Sequence, residues 1–226
     1  LRDKRSNGKI PNTVLIVEHP SVITLGARQS TNKLRVSIEE LALHHIDIIN
    51  IRRGGGTTAH NPGQLVFYPI LNLQELGLGI TEYIRELEAI GIELLQQLGV
   101  QSQRRKGFPG LWVTECGVGS SCVVRDASCE KGMDSRLRGN DKTQNAIRNT
   151  QYAIRKIASI GVRVSKFITY HGMAINIYND LSIFDYIVPC GLDDIEMTSV
   201  MKETGEHHSM NQVKERLSQL LIRHFS

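Results

Sequence analysis

Apolar positions recur at helical spacing over residues 81–98, TEYIRELEAIGIELLQQL. Tyr83, Ile84, Leu87, Ile90, Leu94, Leu95 and Leu98 share one face, and Gly99 supplies a C-terminal stop. The same spacing in SMNQVKERLSQLLIRHF predicts a closing amphipathic helix, opened by a capping box of Ser209 and Gln212. A shorter helix is predicted after Ser37, which can cap while Glu40 reaches back. Elsewhere the period falls to two. Val14–Val17 and Val22–Leu25 read as strands broken at His19-Pro20, and Ile46–Ile51 alternates. Leu65–Leu71 is a continuous apolar run bounded by turn signals and reads as a buried strand, and FPGLWV reads as another. KIASIGVRVSKFITYHGMAINI, from Lys156, predicts two strands around a turn near Lys166. Strands and helices mix without strict βαβ repetition. The expected class is therefore α+β, with a mixed or antiparallel sheet and flanking helices.

One stretch breaks the pattern. Residues 117–155 are polar and rich in Gly, Ser and Asn, and AIRNTQ at 146–151 is echoed by AIR at 153–155. A structureless connection of that length is unusual inside a compact domain, so a disordered insertion at about 117–155 is expected in a single domain spanning 1–226. The chain of 226 residues is long enough for one sizeable core, and aromatics at 5% make that core largely aliphatic. The net charge of +4 invites a nucleic-acid reading, but residues 116–155 hold seven basic and four acidic side chains and so supply +3 of it. No basic patch interleaved with aromatics remains to bind nucleic acid. No apolar run reaches the length of a membrane span, and the opening LRDKRSNGKIP lacks an apolar signal region. The expected setting is cytoplasmic, where thiols stay reduced.

Candidate chemistry gathers at four places. RRGGGTTAH carries three consecutive glycines between Arg53 and His60. Such a run lets backbone approach a ligand and offers N–H groups to a carbonyl or carboxylate, or it is a plain tight turn. The ending of a phosphate loop, Gly-Lys-Ser/Thr, is missing. His60 and His171 each stand beside glycine turns, where a lone histidine is more often structural. Lys156 opens KIASIG, either as a strand-edge lysine facing water or as an ammonium that lowers a neighbouring thiol pKa. Cys190, in IVPCGL, is either a small buried hydrophobe or a nucleophile. Cys116, Cys122 and Cys129 are spaced C-x5-C-x6-C, which lacks the paired spacing of a zinc site, so no metal is expected.

Together these blocks resemble the lipoyl(octanoyl) transferases, or lipoate-protein ligase B family. The family pattern R-G-G-x-x-T-x-H-x-P-G-Q-L appears as Arg53-Gly54-Gly55-Gly56-Thr57-Thr58-Ala59-His60 followed by Asn61-Pro62-Gly63-Gln64-Leu65. The block from Lys156 is similar to the segment around the family's functional lysine, and IVPCGL to that around its nucleophilic cysteine. The match covers roughly residues 10–113 and 156–225.

The resemblance implies a biotin/lipoate protein ligase-like fold. It implies an acyltransferase of lipoate biosynthesis that moves an octanoyl group from octanoyl-acyl carrier protein to a lysine of a lipoyl domain. Its acceptors would be the lipoyl domains of 2-oxoacid dehydrogenase complexes and the glycine cleavage H protein. Carried over, Cys190 is the nucleophile and Lys156 tunes its pKa. Residues 53–60, Ser159-Ile160-Gly161 and Gly172-Met173-Ala174 would line the acyl site. Thioester exchange is nearly isoenergetic, so neither ATP nor a cofactor is expected, and a cysteine divides the transfer into two easier steps.

Three positions depart from the pattern. Gly56 replaces a larger polar residue and Asn61 a glycine, while Ala59 stands where the family has an aromatic and is expected to remove a wall of the acyl pocket. The family's first helix and strand are expected to be absent. Two other readings stay open: an inactive or decaying member that only binds lipoyl domains, and an ATP-using lipoate or biotin ligase.

Overall fold

The computed structural model describes residues 1–114, 154–189 and 195–225. The chain divides into two units, Leu1–Val113 with Arg155–Ser226 and Thr114–Ile154. The cores and cavities described below belong to the first. Most of the expected insertion lies outside the described residues, as do Cys116, Cys122 and Cys129.

The chain opens with a short helix, α1 (Arg2–Ser6), then β1 (Thr13–Val17) and β2 (Val22–Leu25). Next come α2 (Ile38–Leu43), β3 (Asp47–Asn50), β4 (Thr58–His60) and β5 (Gln64–Ile70). The long helix α3 (Ile80–Gln97) leads to β6 (Gln103–Arg105) and β7 (Phe108–Thr114). After the undescribed stretch come β8 (Ile154–Ser165), β9 (Ile168–Asn176), β10 (Glu196–Met197), α4 (Val200–Thr204) and α5 (Met210–Phe225). β8 thus includes Ile154 and Arg155, at the end of the stretch expected to be an insertion. Arg155 is held there by Glu203, whose carboxylate accepts from its Nε at 2.9 Å and Nη2 at 3.0 Å.

Among the described residues two sheets form rather than one. The larger runs β1-β5-β9-β8-β7-β6, and β10 adds to β8 in parallel through Glu196↔Arg155 and Met197↔Lys156. The smaller runs β3-β2-β4 and is itself mixed, with β3 parallel and β4 antiparallel to β2. The α+β, mixed-sheet expectation therefore describes the molecule.

Local chemistry explains the main elements. Ser37 Oγ accepts from the Glu40 N–H at 3.2 Å and starts α2. Lys166 and Phe167, at φ 49° and 63°, form a two-residue loop closing the β8–β9 hairpin, with Ser165 opposite Ile168. The apolar face of α3 buries Tyr83, Leu87, Ile90, Leu94 and Leu95. It packs with Val213, Leu217 and Leu220 of α5 and with Leu65, Phe67 and Ile175 of the sheet. A second, smaller core joins Ile23, Leu41 and Ala59 to Ile183, Phe184 and Ile187.

Candidate active site

Glycine brings two of the sequence blocks into backbone contact. Gly54 N–H donates to Val162 O at 3.2 Å, and a Cβ on Gly54 would lie 2.7 Å from that oxygen. A Cβ on Gly161 would lie 3.0 Å from Arg53 Cδ and 3.1 Å from Gly54 O. Side chains at either position would push the glycine turn off β8. The run 54–56 is therefore more than a reversal of the chain: it seats Arg53 against the large sheet.

Arg53 is buried, and its guanidinium is spent largely on β2. Nη2 donates to Thr24 O at 2.7 Å and Nε to Thr24 Oγ1 at 3.1 Å, while Nη1 donates to Gly54 O at 3.1 Å. This fixes a positive charge in the wall of a cavity of about 330 Å³ between the two sheets. Small-molecule sites are of this size. Aliphatic side chains dominate the lining, with Val22, Ile49, Ile51, Val66, Ile160 and Met173 all contributing.

Most residues carried over from the resemblance meet here. Arg53, Gly54, Gly55, Thr58 and His60 line the cavity from the glycine block. Ser159, Ile160 and Gly161 line it from β8, and Gly172, Met173 and Ala174 from β9. Three of the acyl-site candidates stand elsewhere. Gly56 lines an adjoining cavity. Thr57 is buried, its Oγ1 accepting from the Lys33 N–H at 3.0 Å. Ala59 takes the opposite face of β4 from Thr58 and His60 and packs into the smaller core, so its small size removes no wall of this cavity.

The cavity also has a polar corner that the sequence reading largely missed. His19 Nε2 lies 2.6 Å from Tyr68 Oη, and the His19 and His60 rings are 5.5 Å apart. His171, on β9, lines the same space. It holds φ +60°, a left-handed conformation rare outside glycine. The β5–β9 register ends at Phe67↔Met173, and Pro69 beyond it has no N–H to give. Thr169 Oγ1 donates to Pro69 O at 2.7 Å and accepts from the Leu71 N–H at 2.9 Å, taking over main-chain bonding there.

Burial pushes the His60 imidazole down to about 4, and the charges of His19 and Arg53 act in the same direction against its bond to Gln64. Burial also lowers His19, and burial followed by Arg53 lowers His171. The consequence for stability has a definite sign. Below its ordinary value of 6.5, His60 takes a proton in the unfolded chain that the folded chain refuses until about pH 4. Stability is therefore expected to fall as pH drops through that window, by roughly 3 kcal/mol from this group. Urea unfolding of wild type and His60→Gln at pH 7 and pH 4.5 checks this. Equal pH dependence in the two proteins would remove His60 as the source.

Lys156 is the second focus. It lies on β8, 2% exposed, with Nζ 5.0 Å from the centroid of the Trp112 ring. Trp112 is itself fixed by its Nε1–H bond to Phe108 O at 3.1 Å. The water-facing reading of Lys156 is thus overturned: β8 is an interior strand, and Thr198 N–H donates to Lys156 O at 2.9 Å on the β10 side. Lys156 lines an adjoining cavity of about 540 Å³. Gly54, Gly55, Ile160 and Gly161 border both spaces, so the lysine and the aliphatic cavity meet across the two glycine blocks. Cys190 lies outside the described residues. Among the described residues no cluster of three or more metal-ligating side chains forms, and no helix is long and apolar enough to cross a membrane.

Known proteins resemble this chain in sequence and in fold. The chain is 36% identical to an octanoyltransferase of Bacteroides fragilis over 219 residues, covering 97% of this chain and 84% of that protein. It is 34% identical to an octanoyltransferase of Desulfovibrio desulfuricans over 192 residues, and spans 65% of that relative's length. Among solved structures, a putative lipoate protein ligase from T. acidophilum with bound lipoic acid superposes with a TM-score of 0.62 at 15% identity, covering 99% of this chain and 78% of that one. Lipoate-protein ligase A bound with ATP gives 0.60 at 16% identity, covering 94% and 72%. At such identities the likeness is one of fold. The model of the lipoyl protein ligase A/B catalytic domain matches residues 1–222, and the chain belongs to that family.

Proposed function

We propose that this chain is an ATP-independent octanoyltransferase of lipoate biosynthesis, working through an acyl-thioester on Cys190. The observation that supports it most is the burial of Lys156 beside a largely aliphatic cavity, across glycine backbones that admit close approach. An aliphatic slot suits an eight-carbon chain. An ammonium favours the thiolate of a cysteine beside it, and this is the role proposed for Lys156 toward Cys190.

In the first step the Cys190 thiolate attacks the thioester carbonyl of octanoyl-acyl carrier protein. A new C–S bond forms, the old one breaks, and the carrier's sulfur takes a proton from the Lys156 ammonium and leaves as a thiol, so that Lys156 enters the second step neutral. In the second, the lysine amine of a lipoyl domain attacks the acyl-enzyme. The C–N bond forms, the Cys190 thiolate leaves, and the amine's proton passes to a base, for which Lys156 in its neutral form is the candidate. Backbone N–H groups of the glycine turn are suited to hold the carbonyl oxygen as it gains charge. The acceptors would be lipoyl domains of 2-oxoacid dehydrogenase complexes and the glycine cleavage H protein. A cytoplasmic setting keeps the thiol reduced.

Intact mass after incubation with octanoyl-acyl carrier protein tests this. The expected result is one octanoyl adduct, labile to hydroxylamine, mapping to Cys190. AMP release from free lipoate and ATP, with no adduct, would replace the proposal by a ligase.

A further inference from the structure

A chain of buried amides runs from the cavity to the strand that carries Lys156, and its direction is fixed at one end. Thr198 O is a carbonyl and can only accept, so the group 2.9 Å from it is Asn176 Nδ2. Asn176 Oδ1 then faces Gln64, and only Nε2 of Gln64 can meet it, at 2.9 Å. That same Nε2 lies 3.4 Å from Ala59 O, a second obligate acceptor. Gln64 is left with Oε1 toward His60 Nδ1, at 2.7 Å, so Nδ1 carries the ring's proton. Reversing either amide would oppose two acceptors in a buried place, which costs more than the bond itself is worth. Thr198 is in turn tied to Lys156 O through its own N–H.

We infer that Gln64 and Asn176 are positioning residues that hold His60 as the Nδ1–H tautomer, so that the cavity presents Nε2 as an acceptor and favours an occupant carrying an N–H or O–H donor beside its alkyl chain. The inference rests on reading the cavity as the acyl slot. An alkyl chain alone satisfies the aliphatic wall and leaves the His60 acceptor unmet. A neutral ring is also the form that its burial selects.

Two measurements test this. Long-range 15N–1H correlation on 15N-histidine-labelled protein reads the tautomer directly, with His60 identified by its absence from His60→Gln. The expected pattern is Nδ1–H in wild type, lost or mixed in Gln64→Leu. Calorimetric binding of N-methyloctanamide and methyl octanoate reads the donor preference, since the two share a shape and differ in one N–H where the ester has oxygen. N-Methyloctanamide is expected to bind at least about fivefold tighter to wild type, and the ratio to approach one in Gln64→Leu. An Nε2–H tautomer in wild type overturns the inference, as does equal binding of the two probes, which would leave the acyl slot standing. Binding of neither probe overturns both. Where Gln64→Leu fails to fold, the two wild-type measurements decide.

Discussion

Octanoyl transfer to a lipoyl domain is expected to fall at least about a hundredfold in Lys156→Met and below detection in Cys190→Ser, with the Lys156→Met melting temperature no lower than wild type. Buried charge carries the argument. A lysine 2% exposed, inside a β-sheet and over an indole ring, is expensive to bury. An unbranched apolar side chain of similar volume fits the same space without that cost. If Lys156 were there for stability, Met would leave activity intact or lower activity and melting temperature together. If it is there for chemistry, activity collapses while the fold holds. Intact-mass analysis divides the effect further: Lys156→Met is expected to slow formation of the octanoyl adduct, and Cys190→Ser to abolish the thioester. Full activity in Lys156→Met would sink the assignment of Lys156 to the reaction.

Much of the scaffold was legible because its signals are periodic and local. The α3 stripe, the Ser37 cap and the two-residue turn at Lys166-Phe167 depend on residues within a few positions of one another, and each appears where expected. The short elements β4, β6, β10 and α4 are too brief to establish a period. β4 was absorbed into the glycine run, and that hid the alternation placing Thr58 and His60 in the cavity and Ala59 behind it. Lys156 was ambiguous for a different reason. Its burial depends on β7 on one side and β10, some forty residues later, on the other, and no local pattern encodes either. His19 and Tyr68 were overlooked because each looks ordinary alone; across 49 residues they make a polar corner. The Gln64–Asn176 bond spans 112 residues and was equally invisible, although Gln64 lies inside the motif that carried the family resemblance.

Gly172→Ala is expected to cost about 3 kcal/mol of stability and to abolish binding of octanoyl probes, although it adds a single methyl group. A Cβ there would lie 2.0 Å from Phe67 O and 3.0 Å from Pro69 Cδ. Neither neighbour is the end of a flexible side chain. Phe67 O belongs to the main chain of β5, and Pro69 is locked by its ring. Relief therefore requires β9 to move away from β5. The two are joined in register from Gln64↔Asn176 to Phe67↔Met173, so the Gln64–Asn176 bond and the cavity wall at Met173 and Ala174 would move with them. Gly77→Ala separates this effect from backbone preference. Gly77, unlike Gly172, holds a left-handed φ, +64°, and nothing lies within 4 Å of its Cβ position, so a cost of about 1 kcal/mol is expected there. Urea unfolding of both variants, with calorimetry on the folded fraction, compares a steric wall with a conformational preference. A Gly172→Ala protein as stable as Gly77→Ala would show that β5 and β9 yield at this point, and the close approach that shapes the cavity would then not be what requires glycine.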